Sequence, residues 1–133
     1  MSHIVLDTDV WSFVLKRDSR AERYRSHLEG NTPCVSFQTL AELYQWAEMA
    51  DWGGSRRKRL QEWLGNFQVL GYDNATALIW ARIRAERNRR GRPLSAQDAW
   101  VAACALRHLC PLDTNNASDY LDIEELDIIS EAL

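Results

Sequence analysis

The sequence predicts an α/β layered fold around a short, mainly parallel sheet, and three observations carry that prediction. Short β-branched or apolar runs alternate with helix-period segments along the whole chain. Capping residues stand at the starts of several helical segments. Acidic residues recur just past the carboxyl ends of predicted strands or at helix starts, the edge where ligands bind in open parallel sheets.

His3 to Leu6 is an apolar run with β-branched Ile4 and Val5, and it predicts a strand ending at Asp7. Val10 to Lys16 and Ala21 to Leu28 read as short helices, the second stopped by Gly30-Asn31. Pro33 to Val35 is a second strand. Ser36 then caps a helix to about Ala50 that places Phe37, Leu40, Leu43, Tyr44 and Ala47 on one face and Glu42 within its first two turns. Gly53-Gly54 breaks this helix, and Ser55 is the expected cap of the next, with Leu60, Trp63 and Leu64 inward. Gln68 to Tyr72 is a third strand. Asp73 or Asn74 caps a long helix from Ala75 to about Arg89, in which Leu78, Ile79 and Ile83 mark an apolar stripe opposite an arginine-rich face. Gly91-Arg92-Pro93 ends it, and Ser95 caps a helix through Leu106 with Asp98 three residues past the cap. Pro111 to Asp113 is a fourth strand, Asn116 to Tyr120 a turn and Asp127 to Ile129 a last strand.

At 133 residues the chain suits one domain, residues 1-133, with a single core. Its first seven residues already reach an acid, and no segment approaches the ~20 apolar residues of a membrane span, so a cytoplasmic protein is expected. Cys34, Cys104 and Cys110 match no zinc spacing and read as small core residues. His3, His27 and His108 are scattered without ligand spacing and are expected to be chemically idle. The net charge of -3 argues against a protein that coats nucleic acid non-specifically.

The charge is unevenly distributed. Six arginines fall between Arg82 and Arg92, four basic residues occupy 56 to 59, and the segment from Asp119 onward is acidic with no basic residue. Arg87, Arg89, Arg90 and Arg92 adjoin Asp98 in sequence and form a candidate rail for an RNA backbone, against the alternative of a solvated helix face. The run 56 to 59 reads as solvated surface. Six tryptophans serve either core packing or base stacking, and Trp11, close behind Asp7, is the one singled out for stacking.

Phosphodiester hydrolysis requires an activated water and relief of charge at phosphorus and at the leaving oxygen. Paired divalent cations supply these, and magnesium or manganese takes oxygen ligands, so such a site is built from Asp, Glu and water. Taken singly, each acid has another reading: Asp7 starts a turn, Asp9 caps a helix, Glu42 is a solvated helical acid, Asp98 belongs to a capping-box variant, and Asp119 caps a polar turn. Their joint order carries more information.

Through Leu6-Asp7-Thr8-Asp9, Ser36 with Thr39-Leu40-Ala41-Glu42-Leu43, Gly91-Arg92-Pro93-Leu94 leading to Asp98-Ala99 and Ala102-Ala103, and Thr114-Asn115-Asn116 with Asp119-Tyr120, the chain resembles the PIN domain of VapC-type toxins. The resemblance spans essentially the whole chain in order. It implies a PIN-like three-layer fold and a metal-dependent endoribonuclease that is the toxin of a VapBC-type pair. It further implies Asp7 and Asp98 as direct ligands of Mg2+, with Mn2+ as substitute, and Glu42 and Asp119 completing the site and orienting water. Asn116 would bind the metal or its water, with Thr114 and Asp9 as polar neighbours. The implied partners are an RNA substrate, a VapB-type antitoxin lying near the acids and a second copy in a homodimer. Trp46, Met49 and Trp52 are a candidate apolar strip for antitoxin contacts, with core burial as the alternative. Two positions depart from the family pattern: Asp9 replaces the usual Asn, and Asp113 replaces an apolar residue before Thr114. Competing readings are a catalytically silent PIN-like module that binds RNA or protein, and a metal-dependent phosphatase or 5′ nuclease.

Overall fold

A computed structural model describes residues 2-131 of the chain. Strand β1 (Ser2–Leu6) leads into α1 (Thr8–Leu15) and α2 (Ala21–Leu28), then β2 (Asn31–Ser36), α3 (Phe37–Met49), α4 (Gly54–Leu64) and β3 (Gln68–Leu70). The second half runs α5 (Asn74–Arg89), α6 (Ala96–Arg107), β4 (Leu112–Asp113), a 3-10 turn (Ala117–Asp119) and β5 (Ile128–Ile129). All pairings are parallel, in the order β3-β2-β1-β4-β5. This is the α/β fold with a parallel sheet that the strand-helix alternation predicts.

The strand order reverses at β1. The chain builds outward from β1 through β2 to β3, then returns to place β4 on the other side of β1. A crevice therefore opens between the carboxyl ends of β1 and β4, the usual ligand position in such sheets. Backbone bonds fix its walls, with Asp7 N–H donating to the Asp113 carbonyl at 2.8 Å and Thr114 N–H to the Ile129 carbonyl at 3.0 Å.

Alternation along β1 divides the core between the two faces of the sheet, because successive side chains point to opposite sides. Ile4 and Leu6 join Trp11, Tyr24, Leu43, Leu60 and Leu64 on one face. Val5 joins Leu112, Tyr120 and the small residues of α6 on the other. Ala99, Ala102, Ala103, Cys104 and Ala105 of α6 are all fully buried, so this helix is nearly flush with the sheet and carries Asp98 at its N-terminus beside the crevice.

Several expected positions move. Gly53, not Ser55, is the N-cap of α4. Phe37 and Leu78 are 54% and 65% exposed rather than inward. The buried stripe of α5 runs through Thr76, Ile83 and Arg87, with Ile79 and Trp80 partly covered, one position away from Leu78. Asp73 forms a full capping box with Thr76. Trp11 is buried against Trp63 and Phe67, so it is core and presents no face to a base. Cys34 and Cys104 are buried free thiols, as expected for core residues, and Cys110 is partly buried. Among the described residues no helix is long and apolar enough to cross a membrane.

Candidate active site

Asp7 is the centre of the crevice. It follows β1 directly and is the N-cap of α1, its Oδ1 accepting from the Thr8 N–H at 2.8 Å. Its Oδ2 accepts from the Thr114 hydroxyl at 2.8 Å and from the Tyr120 phenol at 3.0 Å. The side chain is buried, and burial pushes its pKa up to about 6, reinforced by the nearby Asp98 charge and opposed by the donors just named.

Asp9, in the first turn of α1, accepts from the Val10 N–H at 2.7 Å. Its other oxygen accepts from Asn115 N–H and from Asn116 Nδ2, both at 3.1 Å. Burial first and the Asp7 charge second raise its pKa to about 7. The acid that replaces the family's usual Asn thus ties the β4 loop to α1 and adds charge beside Asp7.

Asp98 is half-buried in the first turn of α6, where its N–H donates to Ser95 Oγ at 3.1 Å. The cap is therefore real, and it coexists with a position facing Asp7. The Tyr120 phenol feels both carboxylates; burial and those two charges hold it protonated well above its ordinary range. Tyr120 is a functional neighbour to which the sequence did not point. A buried tyrosine needs a partner for its hydroxyl, and its place directly after Asp119 was the available signal.

Glu42 is half-buried in α3 and accepts from Gln38 Nε2 at 3.1 Å. It borders a groove of about 260 Å3 shared with Thr8, Ser12, Lys16, Trp46 and Met49. The starts of α1 and α3 are joined by the Thr8 and Thr39 hydroxyls, 2.9 Å apart, with Thr39 also receiving the Ser36 hydroxyl at 3.1 Å. Asp119 is exposed, and among the described residues the hydrogen bonds to the Asp7 carboxylate come from Thr8, Thr114 and Tyr120. Its backbone carbonyl accepts from Arg87 Nη1 at 2.9 Å. The structure thus brings together Asp7, Asp9, Asp98, Thr114 and Asn116, and leaves Glu42 and Asp119 on the flanks.

The expected arginine rail has mixed duties. Arg87 is only 6% exposed, and besides Asp119 it donates to the Arg92 carbonyl at 2.7 Å and to Asp122 at 2.9 Å. Arg90 and Arg92 also approach Asp122, at 3.7 and 3.3 Å, while Arg89 is exposed. Arg87 is an internal clamp, not a surface contact.

His27 is not idle. Its Nδ1 is 3.0 Å from Asp113 Oδ2 and its Nε2 2.6 Å from Glu131 Oε1. Asp113 is fully buried, and burial raises its pKa to about 6 against the pull of His27. A paired histidine thus makes an acid tolerable where an apolar residue is usual.

The donor set suits a hard divalent cation: it is all oxygen, and no lysine or arginine pairs with Asp7, Asp9, Asp98 or Glu42 among the described residues. Burial first and the neighbouring carboxylate charges second raise the pKa values of Asp7 and Asp9, a cost that a bound cation would relieve. The described residues hold no ready cage of three or more His, Cys, Asp or Glu side chains. The fit is therefore to an ion held by few protein ligands, with water or phosphate completing its shell, as magnesium prefers.

The sequence profile of the PIN domain matches residues 4–126. The chain belongs to the PIN domain family. Among its relatives, the tRNA(fMet)-specific endonuclease VapC of Shigella flexneri is 31% identical over 120 residues, covering 90% of this chain and 91% of that one. The DNA-bound VapBC structure from Salmonella typhimurium superimposes with a TM-score of 0.82 at 28% identity, covering 98% of each chain. VapBC2 of Rickettsia felis, bound to a DNA fragment from its promoter, shares the fold at a TM-score of 0.83 and 20% identity, again covering 98% of each chain.

Proposed function

We propose that this PIN domain, spanning residues 1-133, is a divalent-metal-dependent endoribonuclease and the toxin of a VapBC-type pair, acting in the cytoplasm. The carrying observation is the Asp7-Asp98 pair beside Tyr120 at the β1/β4 crevice, two neighbouring carboxylates with no lysine or arginine partner among the described residues. The similarity to VapC endonucleases over nine-tenths of the chain supports RNA as substrate. The likeness to VapBC complexes supports a VapB-type antitoxin as partner, and a homodimeric toxin belongs to the same reading.

In this reading Asp7 and Asp98 hold Mg2+, or Mn2+ in its place, with Glu42 and Asp119 at the flanks and Asn116 available to the ion or its water. The bound ion supplies Lewis-acid stabilisation of the phosphate and a more acidic water. The rest is the work of the chain. Thr114 and Tyr120 donate to one Asp7 oxygen and fix the carboxylate's orientation, leaving its charge directed by geometry rather than by a mobile side chain. Asp9 holds Asn115 and Asn116 in place, which sets the wall formed by the β4 loop. With burial raising their pKa values to about 6 and about 7, Asp7 and Asp9 would bind a cation better as the pH rises through that range, because a ligand carboxylate must be ionised. Ionised carboxylates also repel a bare phosphate, so substrate entry and cation binding are coupled.

Circular RNA distinguishes the proposed activity from a 5′ nuclease or phosphatase, because it offers no end. Linear products that appear with magnesium and vanish with chelator are expected. Binding of the circle without cleavage, over several RNA sequences, would instead support the silent module.

A further inference from the structure

The basic run 56 to 59 reads in sequence as solvated surface, yet it does not stand alone in the fold. The groove bordered by Thr8 and Glu42 also contains Lys16 and Trp46. A second groove of about 290 Å3 is lined by Arg17, Arg56 and Arg59 with Trp52 and Trp63. Two features join them: Lys16 and Arg17 are consecutive, and the Trp46 and Trp52 rings pack together with centroids 5.0 Å apart. The result is a surface that starts beside the acids and continues across α1, α3 and α4.

Its cations are available. Lys16, Arg17, Arg56 and Arg59 are exposed, and none forms an ion pair among the described residues. Lys16 lies 4.7 Å from the centroid of Trp46 and Arg56 3.6 Å from that of Trp52, so aromatic faces hold two of the charges in place without neutralising them. Arg57 differs, being spent on Glu48 at 2.6 Å. On the other side of the acids, Arg87, Arg90 and Arg92 converge on Asp122. In a chain of net charge -3, four unpaired cations on one surface contiguous with the site are an uneven allotment.

We infer that this α1-α3-α4 surface is the track for the RNA strand leaving the scissile phosphate, with Lys16, Arg17, Arg56 and Arg59 touching its backbone. The inference rests on the ribonuclease reading and specifies where the substrate lies. A polyanion must be held near a cluster of carboxylates that repels it, and Lys and Arg on the phosphates supply most of such affinity. The half-buried indoles Trp46 and Trp52 give the track a firm aromatic floor that positions Lys16 and Arg56 for the phosphates, a contact indifferent to base sequence.

The test measures binding and cleavage separately. In an Asp7→Asn background, a labelled single-stranded RNA is titrated over 50 to 200 mM salt, roughly the range over which phosphate neutralisation registers. The variants are K16Q/R17Q/R56Q/R59Q together and, as a control, R23Q/R25Q on the exposed face of α2. With Asp7 restored, the same variants are assayed on circular RNA for KM and kcat. The expected result is at least tenfold weaker binding for the fourfold variant and a salt slope shallower by about 0.7 for each phosphate no longer neutralised. KM should rise with kcat changing less than threefold, and the control should bind within twofold of its parent. All four residues are exposed, so the melting temperature should fall only slightly, by the loss of two exposed cation–π contacts. Unaltered RNA affinity, salt slope and KM in the fourfold variant would overturn the track, as would a defect confined to antitoxin binding. If the unsubstituted protein cleaves no RNA, it is the ribonuclease reading that fails.

Discussion

Replacing Asp7 by Asn should stabilise the metal-free protein at pH 8 while abolishing its activity. The carboxyl is buried and its pKa is displaced from 3.8 to about 6, so ionising it in the folded state costs roughly 3 kcal/mol more than in the unfolded chain. The direction follows from linkage: a carboxyl with a raised folded pKa favours the fold below pH 3.8, and that advantage is lost as the pH rises through about 6. Asn is neutral and nearly isosteric, and its carbonyl can still accept from Thr114 and Tyr120. Its amide must then face the Thr8 N–H, a forfeited cap worth about 1 kcal/mol. The net expectation is a gain of about 2 kcal/mol at pH 8 in chelator, shrinking to none or a slight deficit near pH 4. Magnesium at 100 times its dissociation constant would stabilise the native protein alone by about 2.7 kcal/mol and cancel or reverse the difference. Urea unfolding at pH 4 and pH 8, with chelator and with magnesium, measures all of these. Destabilisation of the variant at pH 8 in chelator would refute the idea that Asp7 is a strained, cation-seeking charge.

Asp98→Asn should reduce cleavage at least a hundredfold while leaving the Ser95 cap intact, which kinetics and a thermal melt would check together. Arg87→Met should cost roughly 2–4 kcal/mol in urea unfolding, because it strips the buried partner from Asp122 and the donor from the Asp119 carbonyl. His27→Leu leaves the buried Asp113 carboxyl without its hydrogen-bond partner and should cost roughly 1–3 kcal/mol at pH 8. The cost should be smaller at pH 5, where the carboxyl is already protonated, and adding Asp113→Asn should recover most of the stability. Trp11→Ala should cost roughly 3–5 kcal/mol by opening a cavity against Trp63 and Phe67. Its RNA affinity, measured on the folded fraction, should not change.

The sheet was legible because its strands hold short apolar stretches, such as Ile4 to Leu6 and Cys34 to Val35, between polar residues, and because Ser36, Asp73 and Ser95 are real caps whose side chains accept the expected backbone bonds. Asp7 and Asp98 were legible singly as a strand end and a helix start, which are local features, while their pairing came from the family resemblance. What the sequence did not disclose was how distant segments meet. Leu78 and Phe37 look apolar and therefore inward, but helix phase is set by the neighbouring helix, which covers Thr76, Ile79, Ile83 and Arg87 instead. Arg87 belonged to a run of six arginines and looked like its neighbours; only the fold brings the Asp119 carbonyl and Asp122 to it. His27 and Asp113 are 86 residues apart, so neither could announce the other. Tyr120 likewise reaches Asp7 across 113 residues.

Everything proposed for the active site depends on Asp7 and Asp98 holding a divalent cation for phosphodiester cleavage. Titration with Mn2+ followed by electron paramagnetic resonance at pH 8 addresses that point without any substrate, because bound manganese loses the signal of the free ion. Saturable binding by the unsubstituted protein is expected, with at least tenfold weaker binding in Asp7→Asn and in Asp98→Asn, and recovery of the free signal when excess magnesium is added. Equal manganese binding by all three proteins, or none by any of them at millimolar ion, would contradict it.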